Sequence, residues 1–502
     1  MNTHTIPLYV TETIETLTSK GFEAFLVGGC VRDILIERIP KDWDVTTNVT
    51  PEEIMSLFPH TVYENNFGTV GVVCDQCETK DGEAKPIIEI TPYRTESVYS
   101  DKRHPDSVSF SKDIQDDLKR RDFTINALAL DIKTLEIKDF YKGQIDLKDK
   151  VLRTVGNPDE RFTEDALRML RAIRFSAELG FSVSYETLES ISKNKELIQD
   201  ISWERKRDEF IKMINSPDPV MAIALLEQTG LLQYLIPELR EGIDCDQKGA
   251  HLYDVFTHML HALNHARDKE WATTIRLAAL FHDIGKPRTR RVAPADKSSN
   301  KGGGVQYTFY GHEVVGARMV EKIMNRFHFS REMTELVVKL VRYHMFFSDT
   351  DVITLAAVRR MIQNVGQEHI WELMQIRECD RVGMKKAEAP LRLRKYHAMI
   401  EEALRDPISV SQLKIDGNYL IKDMSFTPGR RMGWILHALL EEVLEDPTKN
   451  TIEYLSARVK QLDTFSDEEL REKGEAGKEK KEEANDQEIE ALHRKHNALK
   501  NK

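Results

Sequence analysis

Val27-Gly28-Gly29-Cys30-Val31-Arg32-Asp33, followed by Asp42-Trp43-Asp44, is the stretch whose reading decides the fold. Two carboxylates one residue apart on a strand point to the same face, and such a face can hold divalent metal. Glycines ahead of a helix let backbone amides come close to a phosphate, and Arg32 adds a permanent positive charge beside them. Together they describe a triphosphate site of the kind that transfers phosphoryl groups with two metals. An isolated Asp-x-Asp is more often a pair of solvated side chains. Here the neighbours argue otherwise.

Working outward, residues 22–140 alternate short apolar runs with turns, at 24–27, 69–73, 86–91 and 128–132. That pattern predicts an α/β domain with a small mixed sheet. From about residue 160 the period becomes helical, over 161–179, 191–199, 203–214 and 220–232, with Pro217, Pro219 and Pro237 as boundaries. A histidine-rich helical segment runs from His251 to Arg381, interrupted by a glycine-rich loop at 293–304, and a further apolar block spans 409–462. The expected fold class is α+β: a mixed-sheet head at 1–150, then an all-helical neck at 151–240, a body at 241–385 and a tail at 386–464. The charged residues 465–502 read as a solvated helix or disorder.

At 502 residues the chain exceeds what one core serves. A net charge of -11 argues against a protein that coats nucleic acid non-specifically, while leaving room for a local basic groove. No apolar run reaches the length of a membrane span and the N-terminus has no signal pattern, so a cytoplasmic protein without a membrane partner is expected. Five cysteines in so long a chain do not make a disulfide framework, and Cys74-Asp75-Gln76-Cys77 reads as a hairpin turn rather than a zinc knuckle. Nothing in the sequence specifies an oligomeric state.

A third carboxylate is expected on a neighbouring strand, and Glu89 in Ile87-Ile88-Glu89-Ile90 is the acid placed to position or deprotonate an attacking hydroxyl. Arg120-Arg121-Asp122-Phe123-Thr124-Ile125-Asn126 gathers guanidinium, carboxylate and amide groups suited to ribose and phosphate. In Glu164-Asp165-Ala166-Leu167-Arg168-Met169-Leu170-Arg171-Ala172-Ile173-Arg174, helical spacing predicts Asp165 and Arg168 on one face, with Arg171 and Arg174 continuing the stripe. A carboxylate beside a guanidinium offers the acceptors and donors that a base edge requires.

These four segments, in this order, resemble the class II nucleotidyltransferases, and among them the CCA-adding tRNA nucleotidyltransferases. The resemblance implies that Asp42 and Asp44 bind two magnesium ions, and Glu89, read from its strand, is the third catalytic candidate. The resemblance places Gly29, Arg32, Arg121, Asp165, Arg168, Arg171 and Arg174 at the nucleotide, and Gly28, Asp122 and Asn126, read from the same segments, join them as nucleotide-binding candidates. CTP, ATP and tRNA are the implied partners, with C, C and A added without a nucleic-acid template and pyrophosphate released. Residues 94–110 resemble the loop needed for the change to ATP. Poly(A) polymerase is the rival within the class, but its usual proline at the position of Ala166 and its basic tail are missing.

Phe281-His282-Asp283-Ile284-Gly285-Lys286-Pro287, with His258 and Asp380, resembles the HD-superfamily phosphohydrolases. The resemblance implies a transition-metal ion on His258, His282, Asp283 and Asp380, with His251, His312 and His344 around it, and a second, hydrolytic activity. A chain acting chiefly as an HD phosphohydrolase is the rival from another class. Leu413-Lys414-Ile415-Asp416-Gly417-Asn418-Tyr419 and Pro428-Gly429 resemble the family's tRNA-binding tail.

Overall fold

The computed structural model describes residues 6–63, 68–74, 77, 85–96, 108–247, 252–292, 307–345, 353–382 and 390–475. Several expectations lie outside these residues: the 97–107 part of the loop, His251, the 293–304 loop and the tail beyond 475. The chain divides into two compact units, Met1–Leu235 and Ile236–Lys502. Among the described residues no helix is long and apolar enough to cross a membrane.

The first unit opens with α1 (Leu8–Ser19), β1 (Ala24–Val27), α2 (Gly29–Leu35), β2 (Asp44–Thr47), α3 (Pro51–Leu57), β3 (Thr61–Tyr63), β4 (Val70–Val73) and β5 (Ile87–Pro92). A small hairpin, β6 (Arg94–Glu96) with β7 (Val108–Phe110), leads to α4 (Ile114–Lys119), β8 (Ala129–Leu130), β9 (Ile137–Lys138) and α5 (Gly143–Asp149). The sheet order is β3-β4-β5-β2-β1-β8-β9. It is mixed, as expected, because β2 runs parallel to β5 while β1 is antiparallel to both β2 and β8. All four residues of β1 are buried, which an Ala-Phe-Leu-Val run without polar alternation calls for. Phe25 and Val27 pack with Tyr93, Ile114, Leu118 and Val155, each such side chain stabilising the fold by roughly 1.5–3 kcal/mol when fully buried.

After β10 (Val151–Leu152) the unit is mainly helical: α6 (Pro158–Glu164), α7 (Leu167–Leu179), β11 (Ser182–Val183), α8 (Tyr185–Asn194), α9 (Trp203–Ile214), α10 (Pro219–Gln228) and α11 (Leu232–Leu235). The helix expected over 161–179 is two helices. Asp165 is extended (φ -142°, ψ 104°) and its carboxylate accepts the Leu167 N–H at 3.0 Å, so it ends α6 and starts α7. Cys74 and Cys77 lie in the connection between the antiparallel strands β4 and β5 and are joined by a disulfide, while the residues between them are outside the described ones.

The second unit is helical, with α12 (Pro237–Arg240), α13 (Val255–Asp268), α14 (Thr273–Phe281), α15 (Lys286–Thr289) and a short hairpin of β12 (Arg291–Val292) and β13 (Tyr307–Thr308). Then come α16 (His312–Arg326), α17 (Arg331–Tyr343), α18 (Leu355–Val365), α19 (Ile370–Arg381), α20 (Pro390–Ala403), α21 (Gly417–Lys422), α22 (Arg430–Glu445), α23 (Ile452–Leu462) and α24 (Asp467–Glu475). Gly285 is what lets α16 approach the start of α15. A Cβ there would lie 2.2 Å from the His312 carbonyl oxygen and 2.6 Å from the Gly316 nitrogen.

Candidate active site

The glycine pair sits where β1 ends and α2 begins. Gly28 has φ +82°, and a Cβ there would stand 2.9 Å from Arg121 Nη1 and 3.4 Å from Asp44 Oδ2. Only glycine accepts that backbone and that proximity together. Strand β2 starts at Asp44, and Asp42 lies in the bend just before it. In the parallel ladder Asp44 is in register with Glu89 of β5. Asp42 and Glu89 are exposed and Asp44 is half-buried, an all-oxygen set of the kind that suits magnesium.

A cleft of about 700 Å³ opens here. Gly28, Gly29, Arg32, Asp42, Asp44, Arg121, Asp122, Asn126, Arg171 and Arg174 all line it. Three of the expected residues do not: Glu89, Asp165 and Arg168 are outside its lining. The Asp165 carboxylate accepts from Arg205 Nη2 at 2.8 Å, and Arg168 Nη1 donates to Glu164 at 2.6 Å. The helix break explains this. With Asp165 outside α7, the three-residue spacing no longer sets its side chain beside that of Arg168.

The cleft residues are tied into a network. Asp122 accepts from Arg171 Nε at 2.9 Å and from Asn126 Nδ2 at 3.1 Å, and Asn126 Oδ1 accepts from Arg32 Nη1 at 2.9 Å. Burial alone would raise the Asp122 carboxyl, but Arg171 and the Asn126 hydrogen bond win and lower it to about 2. Cys30, on the cleft wall, has its thiol pushed up to about 12 by burial, with the Asp44 charge adding to it. It stays protonated and offers no nucleophile. Phe175, Lys41 and Lys212 also line the cleft, and sequence reasoning missed them. A phenylalanine within an apolar helix face reads as core, and single lysines carry no spacing signal.

In the second unit His258, His282, Asp283 and Asp380 converge, all buried, and Asp283, His312 and His344 form an adjoining group. Asp283 Oδ2 lies 3.3 Å from His258 Nε2 and 3.2 Å from His282 Nε2, while its Oδ1 lies 3.2 Å from His312 Nε2 and 3.6 Å from His344 Nε2. His282, His312 and His344 each donate Nδ1–H to a backbone carbonyl, of Ala279, Phe309 and Val341, at 2.7–2.8 Å. Those bonds set the tautomer and turn the Nε2 lone pairs inward, as metal-ligating imidazoles require. Burial opposes charge on Asp283, yet Lys286, at 2.6 Å, and His282 hold its carboxyl well below the usual range. His258 is raised to about 9: burial would lower it, and hydrogen bonds to Asp283 and Asp380 outweigh that. Two buried carboxylates that draw this much positive charge, ringed by imidazoles, fit a transition-metal ion.

Three family models match in sequence: the Poly A polymerase head domain over residues 24–153, the region described as "Probable RNA and SrmB- binding site of polymerase A" over 180–243, and the HD domain over 255–388. The CCA-adding enzyme of Lactobacillus helveticus is 31% identical over 456 residues, covering 90% of this chain and 96% of that protein. That of Lactococcus lactis is 32% identical over 453 residues, with 89% and 96% covered. The crystal structure of the Bacillus stearothermophilus CCA-adding enzyme in complex with CTP superposes with a TM-score of 0.64 at 25% identity, over 91% of this chain and 99% of that one. A mixed sheet carrying paired aspartates beside an arginine-lined cleft, and identity that extends over nearly the full length of two such relatives, place the chain in the CCA-adding enzyme family of nucleotidyltransferases.

Proposed function

We propose that this chain adds C, C and A to the 3′ end of tRNA from CTP and ATP, in the cleft of its first unit. The observation that carries the reading is the placement of Asp42 and Asp44 on the wall of one cleft with Arg32, Arg121, Arg171 and Arg174. In this reading Asp42 and Asp44 would hold magnesium, which supplies charge neutralisation on the triphosphate. Glu89, in register with Asp44, orients the tRNA 3′-hydroxyl and accepts its proton. The 3′-oxygen bonds to the α-phosphorus as the bond to the bridging oxygen breaks, and pyrophosphate leaves. The arginines of the wall bind the triphosphate. Asp165 and Arg168 select the base, exchanging Arg205 and Glu164 for its edge when the nucleotide is bound.

The division into head (1–150), neck (151–240), HD body (241–385) and tRNA-binding tail (386–464) belongs to the same proposal, and a cytoplasmic location agrees with a tRNA substrate. The decisive assay offers tRNA lacking its 3′ end with CTP, ATP or both and reads products at nucleotide resolution. Two added residues with CTP alone and three with both support the reading. A long A tract from ATP would instead favour poly(A) polymerase.

A second activity is also proposed, on a different observation. The buried histidine cluster would bind a transition-metal ion and hydrolyse a phosphate ester such as a 2′,3′-cyclic phosphate. Its assay is release of the 2′,3′-cyclic bond by the metal-loaded protein.

A further inference from the structure

Three guanidinium groups surround one aromatic ring in the cleft. The Cζ atoms of Arg32, Arg171 and Arg174 lie 5.1, 5.2 and 4.0 Å from the centre of the Phe175 ring, all within cation–π range. The ring is buried and held in turn by Phe123, which meets it edge-on at 5.8 Å and 84°. We propose that Phe175 is a positioning residue for nucleotide binding, a fixed platform that aims these three arginines at the triphosphate. The proposal rests on the reading of the cleft given above.

Like charges this close repel, and the surroundings answer with at least one carboxylate for each. Arg32 pairs with Asp33 at 2.8 Å, Arg171 with Asp122 at 2.7 Å, and Arg174 with Glu209 of α9 at 2.8 Å. Those contacts grip each guanidinium at its edge, Arg32 through Asp33 and Asn126 and Arg171 through Nε and Nη2 on Asp122. A flat π surface adds what they lack, since a guanidinium stacked on it loses most of its remaining orientations. Arg171 and Arg174 come from the same helix as Phe175, whereas Arg32 comes from α2. The ring therefore registers two elements far apart in sequence against each other, at the wall of the cleft that both help to build. With guanidiniums over it, the ring is not a stacking surface for the base, so its loss should act on triphosphate binding and not on base choice.

The test is steady-state kinetics of the full chain on tRNA lacking its 3′ end, comparing Phe175→Leu, Phe175→Tyr and Arg174→Ala. Phe175→Leu keeps the apolar bulk and removes the π face. It should raise KM for CTP and for ATP together by about tenfold, with kcat within about threefold and the preference for CTP over UTP unchanged. Phe175→Tyr keeps the face and should stay within about threefold of the parent in every constant. Phe175→Met gives the same comparison should leucine impair folding. Leucine and tyrosine variants with equal KM would overturn the proposal. So would a fall in kcat at unchanged KM, or loss of folding in both the leucine and methionine variants, because the ring would then be packing alone. Arg174→Ala separates the two levels of argument: if it leaves KM at the parent value, the reading of the cleft itself fails.

Discussion

Asp44 and Glu89 are direct neighbours across the parallel pair β2 and β5, their Cα atoms partners in the same register. Asp44→Ala should therefore abolish nucleotide addition, by more than about 10³-fold in kcat, while the fold survives. Glu89→Gln should cost less, about 10²-fold, because it removes a proton acceptor and leaves Asp42 and Asp44 in place. Single-turnover rates with magnesium present check both. Near-normal turnover by Asp44→Ala would remove the catalytic assignment.

Base choice should depend on Asp165 and Arg168 more than the rate does. Asp165→Ala or Arg168→Ala removes one hydrogen-bonding partner and should relax discrimination against UTP and GTP by roughly 1–3 kcal/mol. The measurement is kcat/KM for each of the four nucleotides. Misincorporation that stays at the parent level would mean the pairs with Arg205 and Glu164 are structural.

Acid should weaken the first unit through Asp122. Its carboxyl lies at about 2 in the folded chain, below the usual aspartate value of 3.8, so its ionised form favours folding. That stabilisation is present above about pH 4 and fades as pH falls towards 2, amounting to about 2 kcal/mol. Asp122→Asn should flatten this limb of a stability-versus-pH curve measured by urea unfolding. An unchanged acid limb would show that Arg171 does not hold the carboxylate charged.

The two proposed sites should be separable. His282→Ala with Asp283→Ala should remove bound transition metal, read by elemental analysis, together with any opening of a 2′,3′-cyclic phosphate. CCA addition should stay within about threefold, since the sites use different ligands and different ions. A parent protein without transition metal, or a folded double variant that no longer adds CCA, would assign these residues to substrate binding instead.

What the sequence made legible was local. The Gly28-Gly29 turn, the carboxylate at 44 and the acid in strand 87–92 lie in short windows, where a two-residue strand period and a glycine preference leave few readings, whereas Asp42, expected on the same strand, sits in the bend before β2 and reaches the cleft wall from there. The HD signature was legible for the same reason, and His312 and His344 join Asp283 as expected. The break at Asp165 was hidden, because apolar residues keep a helical period straight through it. What ends α6 is a carboxylate bond to the Leu167 N–H and a clamp from Arg205, forty residues on. Phe175 was hidden by its surroundings: its role depends on Arg32, which no spacing on α7 reveals.

Asp283 belongs to both histidine groups, one carboxylate oxygen towards His258 and His282 and the other towards His312 and His344. The consequence is a lopsided mutational landscape. Exchanging one histidine removes a donor from one group only, whereas Asp283 is common to both. Exchanging Asp283 dismantles both flanks in one step.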